Sequence, residues 1–276
     1  MSANFGINNE YFSQKPDLKG YQTRNAASLN EAAYGLFNDD MGANGKIDEA
    51  VFQGNSGDCW LISGILSLSY TPEGKNLIQD AISINPDGSY NVTFSGVDKT
   101  YKITKEELEA ANKNSFLNGI GFSDSEYSTG DDDMLLIELA MEKLVYENDI
   151  PIETIEGITG GSAYYLYQLF TKNDVEYALG DNENEVKYLI DYYYQNQDTS
   201  AATLGVGDGF AGLEDDHAYA VKSVNQNYME LTNPWDTTEN IKVSIKDLAD
   251  NFGKYDFSIV DTSLLEQTDY LEEYYA

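Results

Sequence analysis

The sequence predicts an α+β protein of two lobes, a helical first part followed by a β-rich second part, with a cleft where they meet. Three observations carry this. Apolar residues recur at helical spacing up to about residue 194, short β-branched and aromatic runs replace them after about residue 201, and no internal repeat or low-complexity linker interrupts the order. A chain of 276 residues is long enough to bury a core in each lobe.

In chain order, residues 1–44 read as a polar, Asn-rich extension with one amphipathic helical candidate at about 28–37. A glycine-rich acidic loop over 38–48 leads into Gln53-Gly-Asn-Ser-Gly-Asp-Cys59, a turn that runs into a helix over 60–68. The apolar density of that helix predicts burial along most of its length. Residues 89–94 and 99–103 alternate as a short hairpin, and 134–146 carries Leu135, Leu139 and Met141 to Val145 at helical spacing. Gly160-Gly161 precedes a helix over 162–170, and residues 185–194 are helical too. Strands are expected at 203–206, 217–224, 228–232, 241–245 and 257–260, with a helix near 246–252. The first lobe spans 45–172, the second 173–262, and 263–276 form an acidic tail.

Composition narrows the function classes. The 41% hydrophobic fraction, with 22 Tyr and 11 Phe, excludes a disordered chain. Sixteen Lys and Arg against 48 Asp and Glu give a net charge of −32, which repels nucleic acid and anionic membranes and draws cations, Ca²⁺ included. A solvated acidic surface accounts for the charge equally well. One cysteine allows no intramolecular disulfide and no multi-cysteine metal site. The start lacks a signal-peptide pattern, and no apolar run reaches the ~18 residues of a membrane span. The expectation is a soluble monomer whose compartment the sequence does not reveal.

Four residues can do chemistry. Cys59 stands at the first turn of a helix, where free N–H groups and the helix dipole favour a thiolate with a pKa below the ~8.5 of a free thiol. An inert buried cysteine is the bland alternative. Gln53, six residues upstream across a turn loosened by Gly54 and Gly57, can bring its amide beside the sulfur and join the Cys59 N–H in an oxyanion hole. His217 is the sole histidine and opens an apolar alternating strand, so any imidazole base must be this one. Asn233 ends the next strand; if Asn225-Gln-Asn227 turns the chain, Asn233 returns beside His217 to orient the ring, with Trp235 covering the pair. Viewed singly, His217 reads as structural and Asn233-Pro as a turn just as readily.

Taken together, Gln53-Gly-x-x-Gly-Asp-Cys59-Trp-Leu, His217-Ala-Tyr-x-Val221 and Asn233-Pro-Trp235 resemble the three active-site motifs of calpain cysteine proteases. The similarity runs from about residue 45 to 262. It implies a papain-like two-lobed core, endopeptidase activity through a thioester acyl-enzyme, and protein or peptide substrates. Gly160 and Gly161 match the family's substrate-contacting glycine segment. Where the family has Gly before the histidine this chain has Asp216, which puts a carboxylate near the peptide and implies a preference for a basic residue there; Asp236 likewise replaces a Gly.

Calcium is the cofactor the resemblance implies. Asp40, Asn44, Gly45, Asp48 and Glu49 precede Gln53 where the family binds an ion, although Ala50 takes the acidic ligand's place, and Gly42 and Val51 spoil an EF-hand pattern. Asp131 and Asp133, ahead of the helix at 134, stand about where the family's other ligand of that lobe belongs, and they suit a helix start equally well. Two rival classes share these residues: a Cys/His acyltransferase that passes the acyl group to an acceptor other than water, and a protease-like binding module without turnover.

Overall fold

A computed structural model describes residues 47, 51–119, 127–147, 152, 154, 157–180 and 182–263. The helical candidate at 28–37 and the tail over 264–276 lie outside the described residues. Helix α1 (Cys59–Ser69) is the element around which the others are arranged, and residues 59–68 are buried without a break. Its large side chains, Trp60, Leu61, Ile62, Ile65, Leu66 and Leu68, point to every side, and its small ones let neighbours approach. A Cβ on Gly64 would come within 2.2 Å of Leu166. Ser67 Oγ bonds Tyr167 OH at 2.7 Å, and Ser63 Oγ donates to Ala218 O at 2.9 Å.

Helix α2 (Pro72–Ala81) starts on a Thr71 cap with Pro in its first turn, and β1 (Ile82–Ile84), β2 (Tyr90–Phe94) and β3 (Lys99–Ile103) form an antiparallel sheet in that order. The expected hairpin is the β2–β3 pair. Helices α3 (Lys105–Gly119), α4 (Asp132–Glu147) and α5 (Ala163–Phe170) complete the helical part. Elements α2, β1 and α3 have no counterpart among the expected ones.

The second part is a six-stranded antiparallel sheet with one long helix, α6 (Glu183–Asn196). Strands β4 (Val175–Ala178), β5 (Ser200–Val206), β6 (His217–Val224), β7 (Tyr228–Asn233), β8 (Asp236–Ser244) and β9 (Tyr255–Asp261) take the order β4-β9-β5-β6-β7-β8, with the short helix α7 (Ile245–Asp250) before β9. Alternation assigns the two faces of the sheet to two apolar clusters. Ala201, Ala218, Ala220 and Val260 join the cluster built on α1, while Leu204, Tyr219, Val221, Phe257 and Ile259 join the cluster that includes α6. The face toward α1 is alanine-rich, which is what lets a fully buried helix lie close to the strands.

Register then fixes where chemistry can occur. Val206 pairs with His217 and Ala220 with Thr232, so the chain leaving β7 runs back past the start of β6. The turn between them is closed by Asn225 Oδ1, which accepts from the N–H groups of Asn227 and Tyr228 at 2.9 and 3.1 Å. Among the described residues no helix is long and apolar enough to cross a membrane.

Candidate active site

Cys59 is the first residue of α1 and His217 the first of β6, and both are almost wholly buried. The elements meet through a side chain one helical turn along: Ser63, on the face of Cys59, donates to the carbonyl of Ala218. The backbone at Ala218 also favours the Cys59 thiolate.

Burial pushes the Cys59 thiol up to about 12, although the N–H groups of Ala218, Trp60 and Cys59 itself favour the thiolate. The expectation of a depressed thiol is thus reversed for the resting protein. Local sequence reveals the helix start but not the desolvation, and desolvation is the larger effect. Burial pushes His217 down to about 4, opposed by its bond to Asn233. The resting pair is a thiol and a neutral imidazole.

Asn233 Oδ1 lies 2.8 Å from His217 Nε2 and also accepts from the Trp235 backbone N–H at 3.0 Å. A backbone N–H can only donate, so the amide atom between the two must be oxygen, and Nε2 must carry hydrogen. Nδ1 is therefore the ring's free acceptor. The Trp235 ring lies over the imidazole, centroids 4.0 Å apart, and Tyr219 meets it edge-on at 4.8 Å.

Gln53 is tied into the same region by its backbone. Residues 51–53 run beside 234–237: Gln53 N donates to Pro234 O at 2.9 Å, and Val51 N donates to Thr237 Oγ1 at 2.9 Å. The side-chain amide donates to Ser56 O at 2.7 Å and Asp58 Oδ1 at 2.9 Å. Gln53 is thus joined to the residue after Asn233, Asn233 to His217, and α1, which begins at Cys59, to the residue after His217.

The glycines and Asp216 have local reasons. Gly160 takes φ +63 and donates its N–H to Gly57 O at 2.9 Å, and a Cβ on Gly161 would come within 2.6 Å of the Trp60 indole. Both therefore stand beside the start of α1. Asp216 takes φ +50, a left-handed conformation that suits glycine, with aspartate among the least penalised substitutes. Its carboxyl is raised by burial and by Asp215 and Asp208 nearby. Asp236 Oδ1 accepts from Thr238 N at 3.0 Å, closing the turn after Trp235 with its own side chain.

Of the expected calcium ligands, Asp40, Asn44, Gly45, Asp48 and Glu49 lie outside the described residues. Asp131 caps α4, its Oδ1 accepting from the N–H groups of Asp133 and Met134 at 2.8 and 3.0 Å, and Asp133 is buried. Among the described residues no group of three or more His, Cys, Asp or Glu side chains is placed to hold a metal ion. Of the described part of the set, Asp131 serves the start of α4.

Sequence reasoning missed two buried carboxyls at the site, Asp58 and Glu138, and Ser128, which bonds Glu138. Asp58 was visible as part of the Gly-Asp-Cys motif. Glu138 reads as one polar position in a helical pattern, and nothing in the pattern places it against Ser128.

A family model described as calpain family cysteine protease matches residues 30–247. No curated protein matches the chain.

The buried imidazole makes stability depend on pH. An unfolded chain takes up a proton on His217 near its ordinary value of about 6.5, whereas the folded chain resists until about 4. Stability present above the upper value is therefore lost as pH falls through the window, by on the order of 3 kcal/mol. Urea midpoints of wild type should fall more steeply from neutral pH to pH ~4 than those of His217→Gln. Parallel acid slopes for the two proteins would contradict this.

Proposed function

Because the chain belongs to the calpain family of cysteine proteases, whose substrates are proteins and peptides, we propose that it is an endopeptidase working through a thioester acyl-enzyme at Cys59. The single observation that supports this best is the Asn233 Oδ1 shared between Trp235 N–H and His217 Nε2, since it leaves Nδ1 free as a base. The proposed arrangement is papain-like, with lobes over 45–172 and 173–262 and the cleft between them, in keeping with the two apolar clusters.

Chemistry then follows from the resting protonation states. With thiol and imidazole both neutral, the thiol proton passes to Nδ1 as Sγ attacks the scissile carbonyl carbon, and the imidazolium is stabilised by Asn233. The carbonyl electron pair moves to oxygen, and the Cys59 N–H and the Gln53 amide receive that oxyanion. For Gln53 this requires one amide hydrogen to leave Ser56 O. Collapse breaks the C–N bond, and His217 gives its proton to the departing amine. Water then attacks the thioester with His217 as base, releasing the acid and restoring the thiol. Trp235 excludes water from the His217–Asn233 bond. Gly160 and Gly161, at the start of α1, line the substrate's path, and Asp216 favours a basic side chain in the adjoining position.

An epoxide inhibitor of papain-like thiols should label wild type and not Cys59→Ala. Asn233→Ala should lose ~10²-fold or more in kcat with little change in KM, because the ring loses its fixed tautomer. An absence of Cys59-dependent labelling, with and without added Ca²⁺, would contradict the proposal. Matched peptide libraries should show Lys-containing substrates cut faster than Glu-containing ones, and Asp216→Gly should abolish the difference; equal rates in wild type would remove Asp216 from the specificity account.

A further inference from the structure

One carboxyl beside the site takes no part in the proposed reaction. Asp256 lies on β9 with its side chain on the α1 face of the sheet, because Tyr255 and Phe257 on either side belong to the other apolar cluster and Val260 belongs to the one built on α1. Register brings it into line with the base. Asp256 pairs with Gly205, and Gly205 pairs with Ala218, the residue after His217. At ~4.8 Å per strand spacing, the Asp256 backbone is about 10 Å from that of Ala218.

Gly205 gives this row its shape. It is the one residue of β5 that is not buried, and a Cβ there would come within 2.5 Å of Asp256 Oδ1 and 3.0 Å of Oδ2. The half-buried carboxyl therefore lies over the glycine, where any other residue would put a side chain. Aromatic rings stand on the side of α5, which packs on β4 and β9. Tyr177 on β4 donates its hydroxyl to Asp256 Oδ2 at 3.4 Å, a long bond that leaves the carboxylate able to accept a closer donor. The Tyr177 ring is 5.9 Å from that of Tyr164, in the first turn of α5 and three residues after Gly161. Both rings are half-buried. Among the described residues no Lys or Arg forms an ion pair with Asp256, and burial pushes its carboxyl up to about 7. Such a group is costly as a lone anion and gains most from an arriving cation.

We infer that Asp256 is a specificity-determining residue: with Gly205, Ala218 and the rings of Tyr164 and Tyr177 it forms a subsite for a basic side chain of the substrate, a Lys or Arg on the second residue from the scissile bond. The inference rests on the peptidase proposal. The aliphatic stem would cross the open backbone of Gly205 and bring the charge to the carboxylate, with the rings adding cation–π attraction. An extended peptide advances ~3.3 Å per residue, so a long side chain on the second residue spans the distance to Asp256. Asp216 serves a different position, since it immediately precedes the base whereas Asp256 stands two strands away.

The test uses matched internally quenched peptides carrying Lys or norleucine at the second residue on either side of the scissile bond. In one of the two pairs wild type should cut the Lys member with ~10-fold higher kcat/KM, Asp256→Asn should bring that ratio to within ~2-fold of unity, and Asp216→Gly should keep it. The wild-type ratio should also rise from pH 6 to pH 8 as the carboxyl ionises, and the rise should vanish in Asp256→Asn. The groups facing that carboxyl are the Tyr177 hydroxyl from β4 and the Gly205 peptide from β5, with Tyr164 of α5 behind Tyr177, so none of them is a second carboxyl. Titration of Cys59 or His217 cancels in the ratio, and the pH series on wild type needs no variant to fold. A wild-type ratio of unity at pH 8, a ratio unchanged in Asp256→Asn, or one lost only in Asp216→Gly would overturn the inference. Failure of the peptidase proposal is a separate result, in which no peptide is cut at all. Calorimetric affinities of the same peptides for the full chain then decide: the Lys member should bind ~10-fold tighter than its norleucine partner in wild type and not in Asp256→Asn. Equal affinities in wild type would overturn the subsite whether or not the chain turns peptides over.

Discussion

One oxygen atom constrains the site. Asn233 Oδ1 takes two donors, the Trp235 N–H from its own chain and Nε2 of His217 from the neighbouring strand, and only one orientation of the amide permits both. That choice sets the tautomer of the sole histidine and turns the ring's basic nitrogen away from Asn233. The constraint depends on the sheet. It needs β6 and β7 to pair with Ala220 opposite Thr232, which in turn needs the Asn225 turn and the alternation that sends Tyr219 and Val221 to one apolar cluster and Ala218 and Ala220 to the other. A slip by one residue would send His217 to the opposite face.

The second condition is dryness. The chain carries a net charge of −32, yet the residues proposed to react are apolar in their surroundings and uncharged at rest. Keeping thiol and imidazole neutral in a buried site avoids the desolvation cost of two ions until substrate and proton transfer create them together. Ser63 couples the halves mechanically by binding α1 to Ala218, the residue that follows the base.

The sequence made part of this visible. Period-two alternation located β6 with its observed bounds and found β7, β9 and the β2–β3 hairpin to within a few residues, because each has one face in an apolar cluster. Strand β8 begins at Asp236 and not near 241, since Asp236-Thr-Thr-Glu-Asn240 offers no apolar alternation, and its ends pair with β7 as Asp236 opposite Asn233 and Asn240 opposite Thr232. Helix α3 had a legible signal that went unused: Thr104 and Glu107 form a reciprocal capping box, with Thr104 N donating to Glu107 Oε2 at 2.7 Å and Glu107 N donating to Thr104 Oγ1 at 3.1 Å. Motif order brought Cys59, His217, Asn233 and Trp235 to notice. It could not give the thiol's protonation, which depends on burial by residues far apart in sequence.

Because His217 is the only histidine, its ring nitrogens can be observed without assignment. The most direct test is a ¹⁵N spectrum of the histidine-labelled protein at neutral pH. The account predicts a protonated-type shift for Nε2 and an unprotonated-type shift for Nδ1. A ring protonated on Nδ1 alone, or an imidazolium at rest, would contradict it.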